Sequence, residues 1–337
     1  MSEKNAPGPA SRNAARRTTI YDLAALAGTS ASAVSAVLNG TWKKRRISER
    51  LAERVMRVAE EQGYSVNLQA SVLRRDKSNI IGMIMPKYDN RYFGAIAEQF
   101  EARARARGLF PVITCTQRDP DLEFEAAREM VSYQVECLIA TGATDPDRIS
   151  DFCASAGVTS INLDLPGSRA PSVVSDNFGG ARDLTHLLLD RLPSQPLLFI
   201  GGRPSDHNTA ERIRGFRAAH ADRDISLPAE AILACGYAAE KAEAALSARG
   251  TPLPRGLFVN STITLEGVVR WLRRQSPAPD VQIGAFDWDP FAALLSDCVG
   301  MVEQDVARML EEVFRLIGTR ADPQLRIEVP TLLRRHI

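Results

Sequence analysis

From residue 79 onward, short apolar runs alternate with longer amphipathic stretches, and no other feature limits the possible folds as strongly. The runs "NIIGMIMP", "FPVITCT", "ECLIATG", "TSINLD" and "PSVVSDN" read as one series of strands. "PLLFIGG", "AILACGY", "GLFVNS" and "VQIGAFDW" read as a second series, followed by "VGMVEQD" and a terminal "LRIEVPTLL". Helical stretches such as "GAIAEQFEARARARG" and "EKAEAALSARG" lie between them. Repeated strand–helix units imply parallel sheets covered on both faces, and two series imply two α/β lobes.

In open parallel sheets, ligands bind beyond the carboxyl ends of the strands. Polar and aromatic residues just after strands are therefore the candidates. "YDNRYF" offers Asn90, Tyr92 and Phe93 after the first strand, "NLD" ends a strand at Asp164, and Tyr237 follows "AILACG". "VNS" supplies Asn260, "AFDW" supplies Asp287, "VEQD" supplies Gln304, and Arg212 opens "RIRGF". Singly, each has a structural explanation, because strand-end Asp and Asn often cap helices. Together they supply carboxylates, amides, a guanidinium and aromatic rings, a set suited to hydrogen-bonding and stacking on a small polyhydroxylated molecule.

The first 78 residues are different. They carry a net charge of +7, against −6 for the rest of the 337-residue chain, so the expected polyanion partner meets the N-terminal part. Residues 1–17 are polar and mildly basic, lack the apolar core of a signal peptide, and read as a disordered arm. No apolar run approaches the ~18 residues of a membrane helix. The five cysteines are far apart, with no metal-ligand spacing and no even-numbered disulfide framework. Free buried thiols in a reducing cytoplasm, with no metal and no cofactor, are expected.

Within residues 18–64, Thr19 caps a first helix, Asp22 lies in its first turn and Gly28 ends it. A second cap at Thr29 or Ser30 starts "ASAVSAVLNG", and Ser48 starts "ERLAERVMRVAEEQGY". Two short helices joined by a glycine turn form the helix-turn-helix pattern, although any small helical bundle shares much of it. The second helix is poor in base-reading side chains: Ala31, Ser32 and Ala36 read as its exposed positions, with Asn39 at its end. Lys43, Lys44, Arg45 and Arg46 follow in a loop. Beside a helix-turn-helix, such a run is placed to bind phosphates rather than only to solvate a surface.

The order "TIYDLAALAGTSASAVSAVLNG…ISERLAERVMRVAEEQGYSVNLQASVL" resembles the headpiece of the LacI/GalR family of sugar-responsive repressors. The extra residues of "TWKKRRIS" resemble the fructose and sucrose repressor branch. The resemblance implies a hinge helix within residues 65–78 that folds on operator DNA, with Asn67, Ala70 and Leu73 on it and Leu73 as a minor-groove wedge. Two residues depart from the family pattern: Val66 stands where a proline is usual, and Ala36 where the recognition helix commonly has arginine. Thr29, the Ser30, Ser32 and Ser35 hydroxyls, the Ala31 and Ala36 methyls and Asn39 are the remaining expected base contacts. Affinity is then expected from the basic loop and shape reading from the hinge.

Residues 80 to about 334, including "SDNFGGA" and "EQD", resemble the family's effector domain and the periplasmic sugar-binding proteins. The resemblance places Asn90, Tyr92, Phe93, Asp164, Arg212, Tyr237, Asn260, Asp287 and Gln304 around a sugar or sugar-phosphate pocket. The expected architecture is an α-helical helix-turn-helix headpiece plus an α/β two-lobed, periplasmic-binding-protein-like domain with parallel sheets over 79–337, which also forms a homodimer or tetramer. A transport binding protein fits poorly with the basic head. An enzyme fits poorly because GxGxxG, GxxxxGK[ST] and GxSxG are all missing from the body.

Overall fold

A computed structural model describes residues 18–64, 78–193, 195–249 and 252–336. The chain divides into two compact units, Met1–Ser78 and Asn79–Ile337. The arm expected at 1–17 and the hinge residues Asn67, Ala70 and Leu73 lie outside the described residues.

The first unit holds α1 (Ile20–Leu26), α2 (Ala31–Leu38) and α3 (Glu49–Glu61). Thr19 and Asp22 form a reciprocal capping box, and the Ser30 and Ser48 side chains accept from Ala33 N and Leu51 N. Gly28 takes φ 61 between α1 and α2, a left-handed turn that a side chain would strain. Leu23, Val34, Val37 and Val55 are fully or nearly fully buried and pack the three helices together.

Ala36 does not have the exposed position expected of it. Its side chain is buried, because the chain reverses at Gly40 and folds Thr41 back over it; Thr41 N donates to the Ala36 carbonyl at 2.9 Å. Only 3% of the residue is exposed, so little of its methyl reaches the surface.

In the second unit, one lobe is built on β1 (Ile80–Met85), β2 (Phe110–Cys115), β3 (Cys137–Thr141), β4 (Thr159–Leu163), β5 (Ser172–Ser175) and β11 (Arg326–Val329). They form an all-parallel sheet in the order β11-β5-β4-β3-β1-β2. Its helices are α4 (Arg91–Ala106), α5 (Pro120–Ser132), α6 (Pro146–Ser155) and α11 (Val306–Leu316). The other lobe has β6 (Leu198–Ile200), β7 (Ile232–Leu233), β8 (Gly256–Val259), β9 (Gln282–Phe286), β10 (Cys298–Gln304) and β12 (Thr331–Arg335), ordered β12-β10-β9-β8-β6-β7. Around it lie α7 (Asn177–Arg191), α8 (His207–Ala221), α9 (Ala239–Ser247) and α10 (Thr262–Leu272).

The chain crosses between lobes after β5, β10 and β11, so each sheet is completed by residues distant in sequence. Three expectations change here. "LRIEVPTLL" is two strands, not one: Pro330 has no N–H to continue a ladder, and the chain changes sheets there. The second sheet is not wholly parallel, since β12 runs antiparallel to β10. The strand expected in "AILACGY" is only the two residues of β7, preceded by a short 3-10 turn.

Glycine sets one close contact in the second lobe. A Cβ on Gly215 of α8 would lie 2.3 Å from the Phe178 carbonyl of α7, so these helices approach closely only because that position has no side chain.

Candidate functional site: a polar cavity between two lobes and an exposed basic loop

Between the lobes lies a cavity of about 70 Å3, lined in part by Asn90, Tyr92, Phe93, Asp164, Arg212, Tyr237, Asp287 and Gln304. Eight of the nine residues expected around a pocket therefore meet at one place. The ninth, Asn260, is fully buried and does not line the cavity; its backbone carbonyl accepts from Arg212 Nη1 at 2.6 Å. Beside the cavity is a wider groove of about 750 Å3 that shares Asn90, Tyr92, Asp287 and Gln304 with it.

The strand ends explain the convergence. Asn90 follows β1 and caps α4, its Oδ1 accepting from Tyr92 N at 2.8 Å, which turns the next two rings inward. The Tyr92 and Phe93 ring centroids are 5.1 Å apart. Asp164 and Asp287 follow β4 and β9 with φ 74 and 66, a left-handed backbone that Asp tolerates better than bulkier residues. Each Asp thereby leaves its strand with its carboxylate facing the cleft.

The polar atoms are held by one another. Asp164 Oδ1 accepts from Tyr92 Oη and from Asn208 Nδ2, both at 3.0 Å. Asp287 Oδ1 accepts from Gln304 Nε2 at 2.7 Å and lies 3.9 Å from Arg212 Nη2. Arg212, 3% exposed, also donates from Nε to Asn177 Oδ1 at 2.8 Å and lies 3.9 Å over the Phe286 ring. Much of its fork is thus used to hold the cleft together.

Burial raises the carboxyl pKa of both Asp164 and Asp287, while the guanidinium charges of Arg118 and Arg212 oppose the rise. Burial beside Asp164 also holds the Tyr92 phenol protonated, as a donor. Gln304 Oε1 and both Asn260 amide atoms have no hydrogen-bond partner among the described residues. The cavity therefore offers carboxylate acceptors, amide and phenol groups and flat aromatic faces.

Lys87, Arg118, Asn208, Ser261 and Ile263 also line the cavity and were not singled out in the sequence. Lys87 and Arg118 follow β1 and β2, so the strand-end rule that found Asp164 could have found them too. Asn208, at the start of α8, had no such signal. Among the described residues no group of His, Cys, Asp and Glu is arranged to hold a metal ion.

In the first unit, Ser30 and Ser32 are exposed, and Thr29, Ala31, Ser35 and Asn39 are half-buried. Asn39 Nδ2 donates to the Ser35 carbonyl at 2.7 Å, so part of its amide is used within α2. Lys43, Lys44, Arg45 and Arg46 are all exposed. Trp42 packs on the helical core beneath them, with Lys43 Nζ 5.2 Å from its ring centroid. A loop anchored by tryptophan holds four cations out in solvent.

A helical unit with an exposed basic loop, followed by a two-lobed domain enclosing a polar cavity, defines a ligand-responsive DNA-binding regulator. Residues 19–67 match the model of bacterial regulatory proteins of the lacI family, and residues 81–295 match a periplasmic binding protein domain. The chain belongs to the lacI family. It is 63% identical over 193 residues to the ribitol operon repressor of Klebsiella aerogenes, across 56% of this chain and 72% of that one. It is 28% identical over 327 residues to the sucrose operon repressor of Klebsiella pneumoniae, covering 96% of each. The lac repressor dimer bound to operator has the same fold, with a TM-score of 0.79 at 20% identity over 95% of this chain and 99% of that one. Among the described residues no single helix is long and apolar enough to cross a membrane.

Proposed function

We propose that this chain is a cytoplasmic, homodimeric transcriptional repressor without enzymatic activity, controlling a carbohydrate or polyol utilisation operon. Residues 18–64 bind operator DNA, 65–78 link and hinge, and 79–337 bind the effector and dimerise. The observation that carries this reading is the convergence of Asp164, Asp287, Arg212 and Gln304 with the Tyr92 and Phe93 rings in one small cavity. Carboxylates and amides exchange hydrogen bonds with hydroxyls, and the rings cover C–H faces. This chemistry is that of a polyol.

The cavity, at about 70 Å3, is far smaller than the 300–1,000 Å3 typical of drug-sized ligands. Its scale favours a small effector over a drug-sized one. The ribitol operon repressor among its relatives supports the same size.

Thr29, Ser30, Ala31, Ser32, Ser35 and Asn39 contact bases, and Lys43, Lys44, Arg45 and Arg46 contact phosphates. Asn67, Ala70 and Leu73 act from the hinge, outside the described residues. An effector can alter operator affinity only by as much as its own affinity differs between lobe arrangements. Because the cavity is made by both lobes, its ligand favours one arrangement. Gel shift of the full chain on its own promoter fragment, with and without ribitol, ribose and ribose 5-phosphate, tests the reading. A chain that shifts no specific fragment, or whose shift responds to no small polyol or sugar, contradicts it.

A further inference from the structure

Arg118 lines the cavity from the turn after β2, and three independent observations single it out. The first is its backbone. Gln117 and Arg118 both have left-handed φ, 54 and 60, which costs energy in non-glycine residues and persists only where the surroundings enforce it. The turn is pinned at both ends, by Thr116 N donating to the Met85 carbonyl and Asp119 N donating to the Thr116 carbonyl, each at 2.9 Å.

The second is its position across the cleft. The guanidinium carbon lies 5.9 Å from the Phe93 ring centroid in its own lobe and 5.2 Å from the Tyr237 ring centroid in the other. Tyr237 is itself fixed by a 2.8 Å hydrogen bond between its hydroxyl and Thr209 Oγ1. Arg118 thus spans the lobes through two aromatic faces, an arrangement that weakens if the lobes part.

The third is what its donors do. Among the described residues the Arg118 guanidinium makes no hydrogen bond and no ion pair, although it carries five N–H groups. Arg212, on the opposite wall, uses its donors on Asn177 and Asn260. A strained, lobe-spanning cation with unused donors facing a cavity is arranged for a ligand.

The class of that ligand follows from the donors and acceptors around it. Asp164 and Asp287 face the same small space as Arg118, Arg212 and Lys87, so the wall sets two carboxylates among three cations and offers acceptors beside donors. A hydroxyl can donate to Asp164 and at the same time accept from Arg118, so adjacent hydroxyls match both groups at once. We propose that Arg118 is the specificity-determining clasp of the cavity, stacking between the lobes and donating to adjacent hydroxyls of a neutral, monosaccharide-sized polyol. This rests on the effector reading given under the proposed function.

The test is calorimetric titration of the full chain and of Arg118→Ala and Arg118→Lys with ribitol, ribose and ribose 5-phosphate. Alongside it, amide exchange is followed in the ligand-free proteins at the backbone around Asp164 and Tyr237. Wild type is expected to bind a neutral probe more tightly than ribose 5-phosphate. Arg118→Ala should weaken that binding at least tenfold, with Arg118→Lys failing to restore it, because an ammonium lacks the planar fork. Exchange around the cleft should quicken in Arg118→Ala without ligand.

Unchanged affinity in Arg118→Ala overturns the ligand role, and tighter binding of ribose 5-phosphate overturns the neutral assignment. If wild type binds none of the three, the small-polyol reading fails together with the neutral assignment. The clasp is then decided by exchange alone, and equal rates in the two proteins overturn it. Unchanged melting temperatures show that any loss does not come from unfolding.

Discussion

Asn208 Nδ2 donates to Asp164 Oδ1 at 3.0 Å and so joins the second lobe to the first across the cavity. Asn208 Oδ1 in turn accepts from Asn177 Nδ2, also at 3.0 Å, and Asn177 Oδ1 accepts from Arg212 Nε. A continuous chain of side chains therefore runs from the carboxylate of one lobe to the guanidinium of the other. Every link in this chain pairs a side-chain donor with a side-chain acceptor, so the two walls of the cavity are tied together.

Because burial raises the Asp164 and Asp287 carboxyl pKa, pH should act on stability and on effector binding in opposite directions. The folded chain binds these protons more tightly than the unfolded chain, so their contribution to stability falls as pH rises through the folded pKa values. Effector hydroxyls, however, donate to the ionised carboxylates, so affinity should rise over the same range. Thermal melts and calorimetric titrations at matched pH, with Asp287→Asn as the reference, check both signs. Parallel trends would contradict the assignment.

Arg212→Met should do more than abolish the effector response. Arg212 is buried and binds Asn177 and the Asn260 carbonyl, and its removal leaves Asp287 without its nearest cation. Breaking a buried charged pair costs about 3–5 kcal/mol. Denaturant unfolding should show that loss, and a variant as stable as wild type would mean that these contacts contribute little.

Neutralising two of the four exposed cations from Lys43 to Arg46 should flatten the dependence of log affinity on log salt by about 1–2 units for each half-site. Preference between operator sequences should barely change, since phosphate contacts carry no sequence information. Binding isotherms over a salt series measure the slope. An unaltered slope would make the loop solvated surface only.

Ala36→Leu should destabilise the helical unit by about 1–3 kcal/mol through overpacking. Ala36 is 3% exposed, and the Thr41 backbone closes over it. Ser32→Leu, at an exposed position on the same helix, should cost far less. Equal melting temperatures of the two variants would show that the Ala36 position has room to spare.

What the sequence by itself determined was local and periodic. The caps at Thr19, Ser30 and Ser48 start helices because each side chain reaches a backbone N–H three residues on, a relation written entirely within a four-residue window. The strand–helix alternation likewise required two lobes, and the rule that ligands meet strand ends brought seven of the eight expected cavity residues into view, Arg212 lying within α8. Only the tertiary structure decided where the chain changes sheets at Pro330, why Ala36 lies inside, and why Asn260 does not line the cavity while Arg118 does. Each of these depends on which distant segment arrives opposite the residue. Periodicity reports the face a side chain occupies, whereas its partner, and so its burial, charge state and unused donors, is set by the packing of elements far apart in sequence.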